Sequence, residues 1–168
     1  MVLGGPRSGT TWAANWLTTD TTICLHDPLM EYTLQQLEQV SFPGKRVGIA
    51  CTAAMLFPHW VNASKAKKVI LYRSVPEINA SLRLLGLMEL DENKHYNRVQ
   101  EIKGATLLPY EQLFTPKSAK GSAEYLEVPF DAARFDLLRQ MRVEPMFRHL
   151  NVGRQAVTDL VARINEAR

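Results

Sequence analysis

The chain has 168 residues, the size of one domain, and 46% of them are hydrophobic and 22% charged. Its formal net charge is +3, and the basic residues are spread along the chain, which suits an anionic small molecule and does not indicate nucleic acid. Composition therefore indicates a globular domain whose weak positive charge suits a small anionic ligand.

Three features of the sequence lead us to expect a cytoplasmic protein. No apolar run approaches the ~20 residues of a membrane span, so we expect no contact with a membrane. The first residues break before an apolar signal region forms. Cys24 and Cys51 lie in apolar runs, so we expect buried thiols in a reducing compartment.

Short apolar runs alternate with amphipathic stretches, which predicts an α/β domain over residues 1–168 with a parallel sheet between helices. About five strands are expected, namely Val2–Leu3, Thr22–Leu25, Val47–Cys51, Lys68–Tyr72 and Ala105–Leu108. Helical spacing of apolar residues follows most of them, in Met30–Leu34–Leu37, Ile78–Leu82–Leu85 and Val157–Leu160–Val161–Ile164. The segment Thr115–Ser122 has the composition of a loop.

A glycine-bearing turn, Gly4–Trp12 (GGPRSGTTW), joins the first strand to a predicted helix, Thr11–Leu17. Glycines let the backbone approach an anion closely, and the helix points free N–H groups at it, so the turn is typical of a phosphate-binding loop. The alternative is an ordinary strand–helix turn. The spacing of the glycines matches GxxxxGK(S/T), but Thr10 replaces the lysine and the cation is Arg7. The loop therefore predicts a three-layer P-loop fold and disfavours an ATP or GTP enzyme.

A second candidate anion site follows the fourth predicted strand. Arg73 comes directly after that strand, at the edge where ligands bind in parallel sheets. Ser74–Glu77 reads as a capping box with proline in the first turn, so a helix is expected to begin here and run to Gly86. Ser81 lies eight residues after Arg73, inside that helix. Two anion sites on neighbouring strands suit a nucleotide with phosphate at both ribose positions.

The loop resembles the 5′-phosphosulfate motif P-(K/R)-S-G-T-T-W of P-loop sulfotransferases, which use 3′-phosphoadenosine 5′-phosphosulfate (PAPS) and release 3′-phosphoadenosine 5′-phosphate (PAP). The chain is similar to a short bacterial- or phage-like member. The resemblance implies that Arg7 meets the bridging and sulfuryl oxygens, acting as an electrostatic stabiliser because arginine does not readily donate its proton. The nucleotide-binding residues that it implies are Pro6, Arg7, Ser8, Gly9, Thr10, Thr11, Trp12, Arg73 and Ser81.

Within that set, Thr10, Thr11 and the loop amides would hold the 5′-phosphate, and Arg73 with Ser81 would hold the 3′-phosphate. The resemblance places Trp12 against the adenine, whereas its spacing from Trp16 also fits a core residue.

The resemblance extends in weaker form to about residue 142. Pro109–Leu113 is similar to the family's Y-E-D-L turn, and Val128–Asp131, followed by a predicted helix Ala132–Met141, is similar to its C-terminal region. Two family features are missing from the sequence. The third strand ends Ile49–Thr52 in place of K-T-H, and no R-K-G run occurs near the C-terminus. Nucleotide binding is therefore more directly indicated than catalysis.

Transfer to a hydroxyl needs a general base. The histidines are His26, His59, His95 and His149. We favour His26, because it ends the second predicted strand, near where the similar glycosaminoglycan sulfotransferases place a glutamate base. Asp27, which precedes Pro28 and reads as a helix N-cap, and Glu31 are the alternatives. His59 reads as a packing or surface residue, and Tyr96 and Arg98 lie where an acceptor lid would be, with no specific role.

The expected function is transfer of a sulfuryl group from PAPS to a hydroxyl or amine of a small-molecule or glycan acceptor, with Arg7 and His26 as catalytic residues and no metal. Two alternatives stay open. One is a non-catalytic module that binds PAP on the same fold. The other is a P-loop nucleoside or nucleotide kinase, which would need a magnesium-ligating aspartate that Asp27 could mimic.

Overall fold

A computed structural model describes residues 1–141 and 151–166 of the chain, the side chains of 151–154 excepted; His149 lies outside the described residues. The described residues contain a sheet made of β1 (Val2–Gly4), β2 (Thr22–His26), β3 (Arg46–Cys51), β4 (Lys68–Tyr72) and β5 (Ala105–Pro109). The strands are parallel and lie in the order β2-β3-β1-β4-β5. The expected α/β fold is confirmed, and each predicted strand agrees with the structure to within one residue.

Helices cover both faces of the sheet. In the described ranges they are α1 (Thr10–Leu17), α2 (Leu34–Gln39), α3 (Pro58–Ala63), α4 (Val75–Leu84), α5 (Glu92–Glu101), α6 (Tyr110–Leu113), α7 (Pro116–Leu126), α8 (Ala132–Gln140) and α9 (Asn151–Glu166). Two 3₁₀ turns, Pro28–Met30 and Ala53–Leu56, follow β2 and β3. Because the strands are parallel, the loops that follow their carboxyl ends all open at the same edge of the sheet.

The core is divided by the sheet because successive strand residues point to opposite faces. On β1, Val2 packs into one buried cluster and Leu3 into the other. The first cluster joins the sheet to α1, α7 and α8, and the second joins it to α3 and α5. Burying one Leu or Ile side chain stabilises the fold by ~1.5–3 kcal/mol, so these clusters hold the carboxyl ends of the strands in fixed positions.

The pairing of β1 with β4 at the centre of the sheet brings together the two loops that follow these strands. β1 pairs with β4 through Val2–Val69, Leu3–Ile70 and Gly4–Leu71, so the two strands end side by side. The glycine loop leaves β1 at this edge, and Arg73 leaves β4 at the same edge. The parallel pairing thus brings the two sequence-predicted anion sites next to each other.

Three local predictions differ from the structure. The segment expected to be a loop, Thr115–Ser122, forms the beginning of α7, because proline fits the first turn and Ala119 and Ala123 bury a small apolar face. The pattern Met30–Leu37 divides into the first 3₁₀ turn and α2, which begins directly after Thr33 and has a capping box between Thr33 and Gln36. Ser74 occupies the predicted N-cap position of α4, but its side chain accepts no capping hydrogen bond, and its hydroxyl donates to the Glu77 carboxylate at 2.6 Å.

The environment of Cys51 agrees with the prediction that it is a buried thiol. The side chain is free and buried in the second cluster, and burial raises the pKa of the thiol to about 12. Cys24 is also free and is half-buried on β2. Within the described ranges, no helix combines the length and apolar character that crossing a membrane would need.

Candidate functional site

The loop between β1 and α1 has the backbone geometry of an anion-binding turn. Arg7 and Gly9 both adopt left-handed conformations, with φ of 64° and 90°. The first helical hydrogen bond of α1 runs from Ala13 N to Gly9 O at 2.9 Å, so the amides of residues 10–12 precede the hydrogen-bonded turn. A left-handed conformation is unfavourable for a residue such as Arg7, and strain of this kind concentrates at ligand sites.

At two glycines of the loop, close neighbours leave no room for a side chain. A Cβ atom at Gly5 would lie 2.8 Å from Cε1 of His95, and one at Gly9 would lie 2.9 Å from Cδ2 of Leu113. His95 projects from α5, is 4% exposed, and has its pKa lowered by burial. The sequence assigned no role to His95. Its position four residues before Val99, also buried on α5, was the available signal that this ring faces inward.

Ser8 supplies an unsatisfied polar atom inside the loop. The residue is fully buried, and its Oγ has no hydrogen-bond partner among the described residues. Its amide donates to Gly5 O at 3.3 Å, which closes the turn. A buried hydroxyl without a partner costs free energy, and an oxyanion in the loop would satisfy it. The residues present therefore fit a phosphate or sulfate group.

The two predicted anion sites are joined by hydrogen bonds. Nε of Arg7 donates to Oγ of Ser81 at 2.9 Å, and Nη1 of Arg73 donates to the carbonyl oxygen of Arg7 at 2.8 Å. The guanidinium of Arg73 lies 4.3 Å from the ring centroid of Tyr110, which follows β5. Nε of Arg73 is buried with no partner in the described part of the chain, and the Ser81 hydroxyl still carries a hydrogen to donate. Donors for a second anion thus lie beside the loop.

Trp12 is a core residue. It is 4% exposed, its Nε1 donates to Leu138 O at 3.2 Å, and its ring contacts Trp16, Phe114 and Phe135 at centroid distances of 5.2–5.6 Å. The core interpretation of this residue is therefore confirmed. The adenine contact that the resemblance implies would need an accessible ring, whereas Trp12 is buried among these aromatic neighbours.

At the end of β2, His26 and Asp27 form a connected group with α1 and β3. Nε2 of His26 lies 3.0 Å from Oγ1 of Thr11 and 3.1 Å from Oδ2 of Asp27. Oδ1 of Asp27 accepts a hydrogen bond from Thr52 N at 2.7 Å. Asp27 occupies the N-cap position of the first 3₁₀ turn, as predicted, but it has a φ of 42° and its side chain makes no capping hydrogen bond. Its carboxylate instead contacts the His26 ring at the end of β2 and the backbone amide of Thr52 just after β3.

The remaining candidates lie away from this group. Glu31 ends the first 3₁₀ turn with its side chain exposed, and His59 is exposed on α3. Tyr96 is exposed on α5, and Nη1 of Arg98 donates to Oε2 of Glu101 at 2.6 Å. The structure thus brings together Arg7, Ser8, Thr11, His26, Arg73 and Ser81, and it does not bring Glu31 or His59 to them.

Two cavities of about 340 and 350 Å³ open elsewhere, at the amino ends of the strands, and both are lined by Met1, Val47, Gly48, Ile49 and Ala66. Neither is lined by a residue of the glycine loop or by Arg73, so neither cavity opens at the candidate site. Among the described residues, no three His, Cys, Asp or Glu side chains converge as a metal site would need. A scan of protein-family models and a search of curated proteins found no match to the chain.

Proposed function

We propose that the chain binds PAPS and PAP and transfers the sulfuryl group of PAPS to a hydroxyl or amine of a small-molecule or glycan acceptor. One observation carries the proposal: the hydrogen bonds from Arg73 to the Arg7 carbonyl and from Arg7 to Ser81 unite two sets of anion donors at one edge of the sheet. A ligand that uses both sets needs two separate anionic groups. A ribose with a 3′-phosphate and a 5′-phosphosulfate carries them.

The proposed binding roles follow from the available donors. The 5′-phosphate would accept from the amides at the start of α1 and from the hydroxyl of Thr10 or Thr11, and the 3′-phosphate from Arg73 and Ser81. Ser8 Oγ, buried without a partner in the described chain, supports an oxyanion inside the loop. Charged hydrogen bonds of this kind contribute about 1.5–3 kcal/mol each.

In the proposed reaction, the acceptor oxygen or nitrogen forms a bond to sulfur while the bond from sulfur to the 5′-phosphate oxygen breaks. The electron pair of the broken bond stays with PAP. Arg7 would stabilise the charge that develops on the bridging and sulfuryl oxygens without giving up a proton. His26, at the strand end beside Thr11, would take the proton from the acceptor. Two free cysteines suit a reducing compartment, so we propose a cytoplasmic enzyme.

A non-catalytic module that binds PAP is the second candidate. The end of β3 favours it, because Cys51 and Thr52 are both buried there and offer the reaction neither a cation nor a histidine. A nucleotide kinase is less favoured, because Thr10 stands where the lysine of an ATP-binding loop would reach the β- and γ-phosphates. We expect transfer to need no metal, so EDTA should leave the rate unchanged.

The test has a binding part and a turnover part. Thermal shift across PAP, PAPS, AMP, ATP and GTP should show the largest stabilisation with PAP and PAPS. Conversion of PAPS to PAP with a panel of acceptors should then separate the enzyme from the binding module. His26→Ala should lower kcat by ~10²–10⁴-fold without weakening PAP, whereas the exposed control His59→Ala should do neither. Stabilisation by ATP alone, or turnover that requires magnesium, would overturn the proposal.

A further inference from the structure

We infer that Asp27 is a positioning residue that holds His26 in the tautomer with the proton on Nε2. In this tautomer Nδ1 is the nitrogen that accepts a proton. The hydroxyl hydrogen of Thr11 is then left to donate to the bound oxyanion. The geometry of His26, Asp27 and Thr11 determines the tautomer, whereas the roles of Nδ1 and Thr11 rest on the proposed function.

The proton on Nε2 follows from the Asp27 carboxylate beside it. An ionised carboxylate only accepts hydrogen bonds, and Oδ2 of Asp27 lies 3.1 Å from Nε2. Without a proton, Nε2 would face that oxygen with its lone pair, which is repulsive. In neutral imidazole one nitrogen carries the proton and the other accepts, so a proton on Nε2 leaves Nδ1 with the lone pair.

Asp27 is held firmly enough to impose this choice. Its Oδ1 accepts from Thr52 N at 2.7 Å, and its own amide donates to Ala50 O at 2.9 Å. Both bonds tie the residue to the end of β3. Its φ of 42° is a conformation that L residues rarely adopt, and the two bonds maintain it. The carboxylate is therefore fixed at a set distance from the His26 ring.

The same tautomer determines what Thr11 does. Oγ1 of Thr11 lies 3.0 Å from Nε2, so the N–H of His26 is shared between this oxygen and Asp27. Because Oγ1 acts as an acceptor there, the hydroxyl hydrogen of Thr11 can point elsewhere. Thr11 belongs to the first turn of α1, where the free amides are. Its hydroxyl thus adds one donor to the phosphate loop.

Nδ1 is left accessible on the other side of the ring. No described residue forms a hydrogen bond with it, and the His26 side chain is 37% exposed. In the proposed reaction, Nδ1 takes the proton of the acceptor hydroxyl as the new oxygen–sulfur bond forms. The positive charge that results on the ring lies against the Asp27 carboxylate, which stabilises it.

The tautomer can be measured directly. Long-range ¹⁵N–¹H spectra of protein labelled at histidine nitrogen, recorded at about pH 8 where an imidazole ring is neutral, distinguish a protonated from an unprotonated nitrogen. His26→Gln assigns the signals of His26. We expect the wild-type protein to carry the proton on Nε2. Asp27→Asn presents an amide that donates to the ring, so the proton should move to Nδ1, while the exposed control Asp20→Asn should change nothing.

Kinetics add a second readout. Asp27→Asn should lower kcat by about a hundredfold or more with little change in the KM for PAPS, because the wrong nitrogen then carries the proton. A wild-type ring with its proton on Nδ1, or an Asp27→Asn protein that keeps the wild-type tautomer, would overturn the inference. If the tautomer is as expected and no acceptor turns over, the positioning role of Asp27 stands and the proposed transfer reaction fails.

Discussion

At Gly5 there is no room for a side chain, because the ring of His95, ninety residues later in the chain, lies against it. A Cβ atom at this position would lie 2.8 Å from Cε1 of His95 and 3.2 Å from Cδ1 of Ile78. The loop can therefore stay in its present position only while residue 5 has no side chain. His95, which the sequence left without a role, packs against the glycine loop at this position.

We expect Gly5→Ala to destabilise the protein by about 1–3 kcal/mol, because it overpacks a contact that is already closed. In a His95→Ala background the ring is absent, so the same change should cost at least ~0.5 kcal/mol less. Urea unfolding of the four proteins of this cycle measures the difference. An equal cost in both backgrounds would mean that His95 does not hold the loop.

At the scale of elements, α7 shows where local composition misleads. Residues 115–122 read TPKSAKGS, which is typical of a loop, yet they form the beginning of a helix. The small side chains of Ala119 and Ala123 pack in the first core cluster, and this tertiary contact outweighs weak local propensity. Gly121 lies in the same helix with no atom within 4 Å of a Cβ placed on it.

Gly121→Ala should therefore stabilise the protein by about 0.5–1 kcal/mol, the difference in helix propensity between the two residues. Gly104→Ala is the matched control, because Gly104 also has open space around it but a φ of 67°, so alanine there should destabilise. Thermal unfolding measures both. A neutral or destabilising Gly121→Ala would indicate that this segment is a loop after all.

The features that the sequence predicted well carry local signals. Continuous apolar runs marked the five strands, and the glycine loop and Arg73 stood directly at strand ends. Features that depend on distant neighbours were missed or misread: the contact of His95 with Gly5, the bond from Thr52 N to Asp27, and the pairing of Arg7 with Ser81. Ser81 was expected to act with Arg73, but its Oγ accepts a hydrogen bond from Arg7, because the spacing of two residues along the chain does not determine which side chain each one contacts.

For the whole molecule, His95 links stability to pH. Burial lowers its pKa in the folded state, so below the ordinary imidazole value of about 6.5 the unfolded chain binds a proton that the folded chain does not. Above that value the ring is neutral in both states and has no effect. Stability should therefore decrease as pH falls from about 6.5 towards the lowered value, by at most ~1.4 kcal/mol per pH unit.

The measurement is the free energy of unfolding in urea between about pH 7 and pH 5. His95→Gln should flatten the pH dependence relative to the wild type, since glutamine does not titrate. The exposed His59→Gln should keep the wild-type slope. A His95→Gln protein with an unchanged slope would show that the loss at acid pH comes from other groups.

The central claim is that one edge of the sheet binds two anionic groups of one nucleotide, and calorimetric titration with PAP and AMP tests it most directly. The two ligands differ by the 3′-phosphate, and two charged hydrogen bonds from Arg73 and Ser81 should favour PAP by roughly a hundredfold or more. Arg73→Ala should remove the preference and keep the affinity for AMP. Arg83→Ala on α4, which only breaks an exposed ion pair with Glu89, should preserve the preference. Equal wild-type affinities for PAP and AMP would contradict the account.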